Sequence, residues 1–524
     1  MTPNNKNLGQ YFTSIEIANF MVSLIEHDKS AAIFEPCAGH GVFLKSLGQH
    51  GFKDITAYEI DDSLENMSNT KIQYKDTLLE RPCAQYDVII GNPPYVRWKN
   101  IDPQQRQLLK NNVFWESRIN GLNDLLYLFI LSSVDSLKEG GELIFITPTF
   151  WTSTMHSKTL REKLLKEGEI THFINFEEAK VFDRVSSNIL IFRFVKKKAN
   201  RQIKVIKVLT KERVGKNVLE DITHILDKLD ADEHVRFNGY EAYLHKQFSK
   251  TNPWNPIPVE VEPVIKRIED NADSRLGDIA NICNGMVSGL DEAFKVDSLN
   301  DFTDEERKLM VKVIKAKNLN RYFPNTYTNY IFLNDKIKEE EGLERLPNIA
   351  PRLTKFKTKL KARYGYNKNI PWWHWVFLRS RNAIEKSKNK IVVPSKERYN
   401  LRGYVRFALA EGNFFITQDM TAIIKKPEIK ENVKYLLAIL NSDIIFLWLR
   451  YKGLRRGGVM EFSEKPLSVI PIKRIDWNSP SEVKLHNEIV ELVDRIIASK
   501  DKMQYDSDIN GLVEKLYHTK TDAL

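Results

Sequence analysis

Two consecutive prolines at the end of an apolar run constrain this chain more than any other stretch. Tyr86-Asp87-Val88-Ile89-Ile90-Gly91 is short, apolar and β-branched, the pattern of a buried strand, and Asn92-Pro93-Pro94-Tyr95 follows it directly. The prolines stop the strand and remove two backbone donors, so the carbonyls of Asn92 and Pro93 are expected to leave the ladder at its carboxyl end. In open α/β sheets that edge is where ligands bind. An amide oxygen, a backbone carbonyl and an aromatic ring at such an edge suit a flat, neutral amine. The two oxygens accept its two N–H hydrogens, and the ring of Tyr95 stacks on its face without needing its hydroxyl. Read alone, the tetrapeptide fits a Pro-Pro turn with a packed tyrosine equally well.

The segments on either side extend the pattern. Thr13 or Ser14 can cap a helix whose apolar face is Ile15, Ile17, Ala18, Met21, Val22 and Ile25. Ala31-Ala32-Ile33-Phe34 reads as a strand running into Glu35-Pro36-Cys37-Ala38-Gly39-His40-Gly41, and Val42-Phe43-Leu44 starts the next helix. Gly39 and Gly41 allow a tight turn and a close approach of backbone to a ligand. Strand, glycine turn and helix N-terminus form the first half of a nucleotide-binding unit, without the GxGxxG or GK[ST] of dinucleotide or triphosphate sites. Glu35 at the mouth disfavours a phosphate and favours a cation, an amino group or a sulfonium. Glu59 ends the next strand, Ile55-Thr56-Ala57-Tyr58, about 20 residues after the glycines, where a ribose hydroxyl pair is held.

Further strand ends follow at Tyr74-Lys75-Asp76, Glu142–Pro148, Ile170–Phe176 and Ser187–Phe194, with a helix over Asp124–Leu137 and a break at Gly140-Gly141. This alternation predicts an α/β fold, a doubly wound, mostly parallel, Rossmann-like sheet. From Lys196 to about Phe248 the charge density predicts a helical stretch. Three prolines within Thr251–Pro258 mark a linker. The expected division is 1–250, 251–474 and 475–524, the last made of two helices over Val483–Ser499 and Ile509–His518.

With 524 residues the chain is too long for one ordinary core. Its net charge of +10 suits a polyanionic partner only where the charge is localised, and in the second half it is. Arg352, Lys355, Lys357, Lys359, Lys361 and Arg363 crowd one stretch. Arg379 and Arg381 follow Trp372-Trp373-His374-Trp375, and Arg398, Arg455 and Arg456 come later among aromatics and glycines. As a set these fit a surface that follows phosphates and reads base edges; any one of them reads equally as a solvated charge, and the tryptophans as core. Cys37, Cys83 and Cys283 form no CxxC pair, so neither a disulfide framework nor a metal site is expected. No signal-peptide pattern and no membrane-length apolar run is present, which predicts a cytoplasmic protein with no membrane partner.

The order of these blocks over residues 8 to 194 resembles the gamma-type, TaqI-like S-adenosylmethionine-dependent DNA adenine-N6 methyltransferases of bacterial type II restriction-modification systems. The matching blocks are Phe12-Thr13, Glu35-Pro36-Cys37-Ala38-Gly39-His40-Gly41, Glu59, Asp76, Asn92-Pro93-Pro94-Tyr95, the helix from Asp124, the Gly-Gly strand ending Thr147-Pro148, and Phe182. Gly285-Met286-Val287-Ser288-Gly289-Leu290-Asp291-Glu292-Ala293-Phe294 is similar to part of the family's mixed α/β target-recognition domain, and the likeness extends more loosely to Pro471.

The resemblance implies that S-adenosyl-L-methionine is the cofactor and S-adenosyl-L-homocysteine the product, with no metal. Phe12 and Thr13 would touch the cofactor's methionine end. Glu35, Ala38, Gly39 and Gly41 would line it, Glu59 would hold its ribose, and Ile60 and Asp76 would meet its adenine. Asn92, Pro93, Tyr95 and Phe182 would hold a target adenine flipped out of double-stranded DNA. Lys357, Lys361, Arg379, Arg381, Arg398, Arg455 and Arg456 would meet DNA. A monomer acting on a specific adenine-bearing site in the nucleoid, protecting host DNA from a cognate endonuclease, is the expected biology. Without the resemblance, Phe182 reads as core, Asp76 as a cap or turn residue and Cys37 as a small packing residue. The rivals are a release-factor glutamine-N5 methyltransferase, an RNA adenine methyltransferase, a nuclease-fused restriction enzyme and a non-catalytic specificity subunit. The first lacks so large a basic half, the third would need an N-terminal nuclease domain that is not expected here, and the last would need degraded motifs.

Overall fold

Ile33 pairs in parallel with Ile55 on one side and with Val88 on the other, and the first half of the chain is built outward from that pairing. The structure is a computed structural model that describes residues 11–82, 85–116, 124–183, 188–229, 234–250, 253–365, 369–398, 403–456, 458–500 and 505–521. It forms two compact units, Met1–Glu262 and Pro263–Leu524. The strands of the first unit are β1 (Ile33–Glu35), β2 (Ile55–Glu59), β3 (Gln73–Tyr74), β4 (Tyr86–Gly91), β5 (Leu137–Pro148), β6 (Glu169–Asn175), β7 (Ile189–Val195), β8 (Ile203–Val208), β9 (Val235–Phe237) and β10 (Tyr240–His245). They make one sheet in the order β3-β2-β1-β4-β5-β7-β6-β8-β10-β9. The five strands from β3 to β5 are mutually parallel, and β7 enters antiparallel between β5 and β6. The order turns back between β1 and β4, so their carboxyl ends open a crevice at the switch point of the sheet.

Alternation along each central strand fills a separate core on each face. Val88, Ile90, Ile144, Ile146 and Ile191 pack with the helices α1 (Ile15–Ser23) and α2 (Val42–Gln49). Ile89, Leu143, Phe145, Leu190 and Phe192 join Leu126, Leu128, Ile130 and Val134 on the other face. Ser14, one of the two caps read from the sequence, accepts from Ile17 N at 3.4 Å, and Asp124, read there as a helical residue, is a cap that accepts from Leu126 N at 3.3 Å. The helix after Asp124, Leu125–Ser136, is buried on nearly every side.

Two expectations need correction. The stretch after Lys196 is not a helical run: it holds β8, the helix Lys216–Lys228, β9 and β10. Its lysines disguise the strands. Lys207 is 2% exposed and pairs with buried Glu241 at 3.4 Å, while Lys204 Nζ donates to Leu226 O at 2.7 Å. The Gly140-Gly141 break lies inside β5, where the register against β4 shifts and Gly140 has φ +80°.

The second unit carries two four-stranded sheets, in the orders Ala280–Asn284, Met420–Lys425, Asn389–Pro394, Ala408–Glu411 and Lys295–Val296, Thr328–Ile331, Met310–Ile314, Phe415–Ile416. A third sheet joins Lys396–Arg398, Val459–Glu461 and Arg455–Arg456. The glycine motif of this half is a packing device. A Cβ on Gly285 would sit 2.0 Å from Thr417 O, and Gly289, at φ +87°, lies against Val376 and Arg363. Asp291 accepts from Lys315 Nζ at 2.6 Å, and the same ammonium meets Asp419 at 2.7 Å. The C-terminal helices Pro480–Ser499 and Asp506–Leu516 belong to this unit, held by Tyr322 donating to Asp506 at 2.8 Å and Lys473 N to Tyr517 at 2.9 Å. No helix among the described residues is long and apolar enough to cross a membrane.

One ion pair spans β5 and β7 inside the first unit. Arg193, 1% exposed, donates to Glu142 Oε2 at 3.1 Å and to Thr171 Oγ1 at 3.0 Å, and reaches Glu26 at 2.7 Å. Removing one partner strands a buried charge, so Arg193→Ala should cost about 3–5 kcal/mol of unfolding free energy. The Arg193→Ala/Glu142→Ala double variant should cost less than the sum of the singles. Denaturant unfolding checks both; strict additivity would overturn the pairing.

Candidate active site

The crevice between β1 and β4 deepens into a cavity of about 670 Å³. Phe12, Thr13, Glu35, Ala38, Gly39, Glu59, Ile60, Asp76 and Asn92, scattered over eighty residues of sequence, all line it. Gly39 and Gly41 have φ +52° and +76°, and Gly41 starts α2. A Cβ on Gly41 would stand 2.7 Å from Asn66 Oδ1, so the turn needs glycine there for space as well as for backbone angle. Phe12 and Ile60 are exposed at 42% and 49%, two apolar faces at the mouth.

Two of the carboxylates lining the crevice, Glu59 and Glu35, are held in opposite ways. Glu59 Oε2 accepts from Gly39 N at 2.7 Å, and its Oε1 accepts from Ile60 N at 2.9 Å and Asp61 N at 3.1 Å. That side chain clamps the glycine turn to the end of β2. Glu35 is 1% exposed, and neither of its carboxylate oxygens has a hydrogen-bond partner. Burial, with Glu59 beside it, pushes its pKa well above the ordinary carboxylate range. An orphaned acid lining a cavity fits a ligand that brings a positive charge or hydrogen-bond donors. Asp76 does two jobs at once: Oδ1 accepts from Leu78 N at 2.9 Å, as a turn residue would, while the residue also lines the cavity.

Asn92 is pinned from both ends. Its Nδ2 donates to Tyr11 O at 2.7 Å and to Thr13 Oγ1 at 3.1 Å, and its Oδ1 accepts from the Tyr95 hydroxyl. The Tyr11 carbonyl can only accept, and that fixes which end of the amide is nitrogen. The Asn92 carbonyl does not stay free of partners: the Cys37 thiol donates to it at 3.3 Å. Burial, then Glu35 and Glu59, hold that thiol well above its usual pKa, so Cys37 is a neutral donor. Burial likewise raises Tyr95, keeping its hydroxyl protonated. Pro93 is buried beneath. The Tyr11 ring stacks on Tyr95 with centroids 5.3 Å apart and lies 6.1 Å from buried Phe182. Tyr11 and the donor role of Cys37 were missed in the sequence; the nearest signal was the position of Tyr11 just before Phe12-Thr13.

In the second unit the basic residues form separate groups. Lys357 and Lys361 share the helix Lys357–Ala362, where Lys357 pairs with Glu340 at 2.7 Å and Lys361 is exposed. Arg381 is committed to Asp335 and, at 3.1 Å, to Glu385. The Arg379 guanidinium lies over the Phe377 ring at 5.2 Å. Arg398, Arg455 and Arg456 sit in one three-stranded sheet, with Arg398 and Arg456 at the same register against Val459; the Arg456 side chain lies outside the described residues. Among the described residues no cluster of His, Cys, Asp or Glu could hold a metal ion.

Residues 14–182 match the family of Eco57I restriction-modification methylases, and residues 311–472 match the TaqI-like C-terminal specificity domain. The type II methyltransferase M.HindII of Haemophilus influenzae is 38% identical over 97% of this chain and 98% of its own length. M.HincII, also of Haemophilus influenzae, is 36% identical over 97% of each. Among solved structures, the type IIL restriction-modification enzyme MmeI in complex with DNA shares the fold, with a TM-score of 0.59 and 13% identity over 97% of this chain and 73% of that one.

The state of Glu35 can be read in stability. Its folded pKa is raised, so its contribution is fully present below the ordinary carboxylate range and is lost as pH climbs towards the raised value. Glu35→Gln keeps the shape and removes the titration. Wild type should therefore lose melting temperature relative to Glu35→Gln as pH rises from about 4 to about 7. A difference independent of pH would refute the buried, protonated acid.

Proposed function

The chain belongs to the DNA methyltransferases of type II restriction-modification systems, and on that premise we propose that it transfers the methyl group of S-adenosyl-L-methionine to N6 of an adenine flipped out of duplex DNA. The observation that carries the reading is the state of Asn92. Its amide nitrogen is spent on Tyr11 O and Thr13 Oγ1, so its oxygen, with one lone pair taken by the Tyr95 hydroxyl, is the end left to accept one further hydrogen beside a cavity.

When bound, the cofactor supplies a methyl group already activated on sulfur. The residues of the cavity fit it. Glu35, buried and without a hydrogen-bond partner, would face the positively charged methionine end. Glu59 would offer the one lone pair left on Oε2 to a ribose hydroxyl, Asp76 would take the exocyclic amine of the cofactor adenine, and Phe12, Thr13, Ala38, Gly39, Gly41 and Ile60 would shape the walls. Asn92 Oδ1 and the Pro93 carbonyl accept the two N6–H hydrogens of the target. That draws its lone pair out of ring conjugation and aims it at the methyl group. Tyr95 and Phe182 stack on the extruded base. The Tyr95 hydroxyl has a job too, since it holds Asn92 Oδ1. No strong base is needed before attack; the proton leaves afterwards to water.

We assign residues 1–250 to catalysis, 251–474 to reading the DNA site and 475–524 to bracing that reader. A monomer bound to one adenine-bearing site, protecting host DNA from a cognate endonuclease, completes the reading. In the reader, Lys361, Arg379, Arg398, Arg455 and Arg456 are candidates for DNA contact together with Lys357 and Arg381, the last two of which would exchange an acidic partner for phosphate.

Asn92→Ala should nearly abolish methyl transfer while S-adenosylhomocysteine still binds. Tyr95→Ala should cost about ten- to a hundredfold through lost stacking. Tyr95→Phe keeps the ring and loses the hydrogen bond to Asn92, about tenfold. Single-turnover transfer with 2-aminopurine at the target base measures both steps, and full activity in Asn92→Ala would end this reading. For DNA affinity, log K should fall steeply with log salt, by about 0.9 per phosphate contact. Lys361→Ala should flatten that slope by one such step and Lys357→Ala by less; the reverse ranking would contradict the pairing argument.

A further inference from the structure

The turn that carries Asp76 is gripped by a segment that the sequence reading left without a role. After Tyr95 the chain forms two short helices, α3 (Pro103–Asn111) and α4 (Val113–Glu116). Asp102 caps α3, its Oδ1 accepting from Gln104 N at 2.9 Å and Gln105 N at 3.1 Å, with Pro103 in the first turn. Leu109 and Trp115 are fully buried beneath, and Trp115 Nε1 donates to Leu78 O at 2.7 Å. Two residues back along that same turn, Gln105 Nε2 donates to Asp76 Oδ2 at 3.1 Å. A carboxylate only accepts, so the amide must present its nitrogen to Asp76. Gln105, Asp102 and Pro103 line the same cavity as Glu59 and Ile60.

The two oxygens of Asp76 therefore have different employers. Oδ1 is held by the backbone of its own turn, through Leu78 N at 2.9 Å and Leu79 N at 3.4 Å. Oδ2 is held by Gln105 alone among the described residues, and without it the carboxylate can swing about its Oδ1 anchor. We propose that Gln105 is a positioning residue for the purine end of the cofactor, fixing the Asp76 carboxylate in the orientation that selects a 6-amino over a 6-oxo purine. A 6-amino group donates to the carboxylate; a 6-oxo group sets one oxygen against another and is rejected only as firmly as Asp76 is held. This rests on the assignment of the cofactor adenine to Asp76, and the test separates the two.

Calorimetry of the full chain with S-adenosylhomocysteine and with its deaminated analogue, S-inosylhomocysteine, gives the preference directly. Gln105→Ala should weaken S-adenosylhomocysteine about tenfold and leave the analogue nearly unchanged, so the preference narrows by the same factor. Gln105→Glu, of the same shape with the donor replaced by an acceptor, should narrow it as well, and stands in if the alanine variant folds poorly. Equal weakening of both ligands would make Gln105 mere packing and overturn the proposal, as would an unchanged preference. Asp76→Ala reports on the premise. Unchanged affinity for S-adenosylhomocysteine there removes the adenine from Asp76. A severe loss there together with a silent Gln105 leaves the adenine site standing and sinks only the positioning role.

Discussion

The parallel registration of β1 against β4 is the contact on which the rest of the first unit depends. Ile33 opposite Val88 and Phe34 opposite Ile89 bring the two carboxyl ends to the same level. Glu35 and Asn92, more than fifty residues apart in the chain, then face one crevice, and the Cys37 thiol can reach the Asn92 carbonyl. A slip of one residue would exchange the two cores on either face of the sheet, because Val88 and Ile90 point one way and Ile89 the other. The hydrophobic pattern that makes the fold is thus also what aligns the chemistry.

Within that frame, the chain treats buried charge in two ways. Glu59, Glu142 and Glu241 are given partners: three backbone N–H groups, a guanidinium, an ammonium. They tie elements together and leave little capacity for change. Glu35 has none, and the protein tolerates it by raising its pKa. An acid kept neutral by burial is poised to ionise when a cation arrives, which a satisfied carboxylate is not. Local destabilisation marks the place where the structure is incomplete without a ligand.

Much of this was legible in the sequence because the signals were local. Strand ends followed by Gly, Pro or acidic residues placed Glu35, Glu59, Asp76 and Asn92 at one edge, and Ser14 caps the helix it precedes. What escaped depends on partners far away in the chain. The strand β8 looked like a charged helix because nothing near Lys207 announces Glu241. The hydroxyl of Tyr95 and the thiol of Cys37 acquire their roles only when both end up against Asn92. Lys357 and Arg381 resembled their basic neighbours until Glu340, Asp335 and Glu385 came alongside.

The last strand of the first sheet ends at His245, and the first strand of the second unit begins at Ser274. Among the described residues no strand of one unit completes a sheet of the other, and the chain passes between them once, at Glu262–Pro263. A recombination event between genes for two such proteins therefore needs only one crossover to exchange one unit and keep the other. Among the described residues, no sheet of either unit would lose a strand in the exchange.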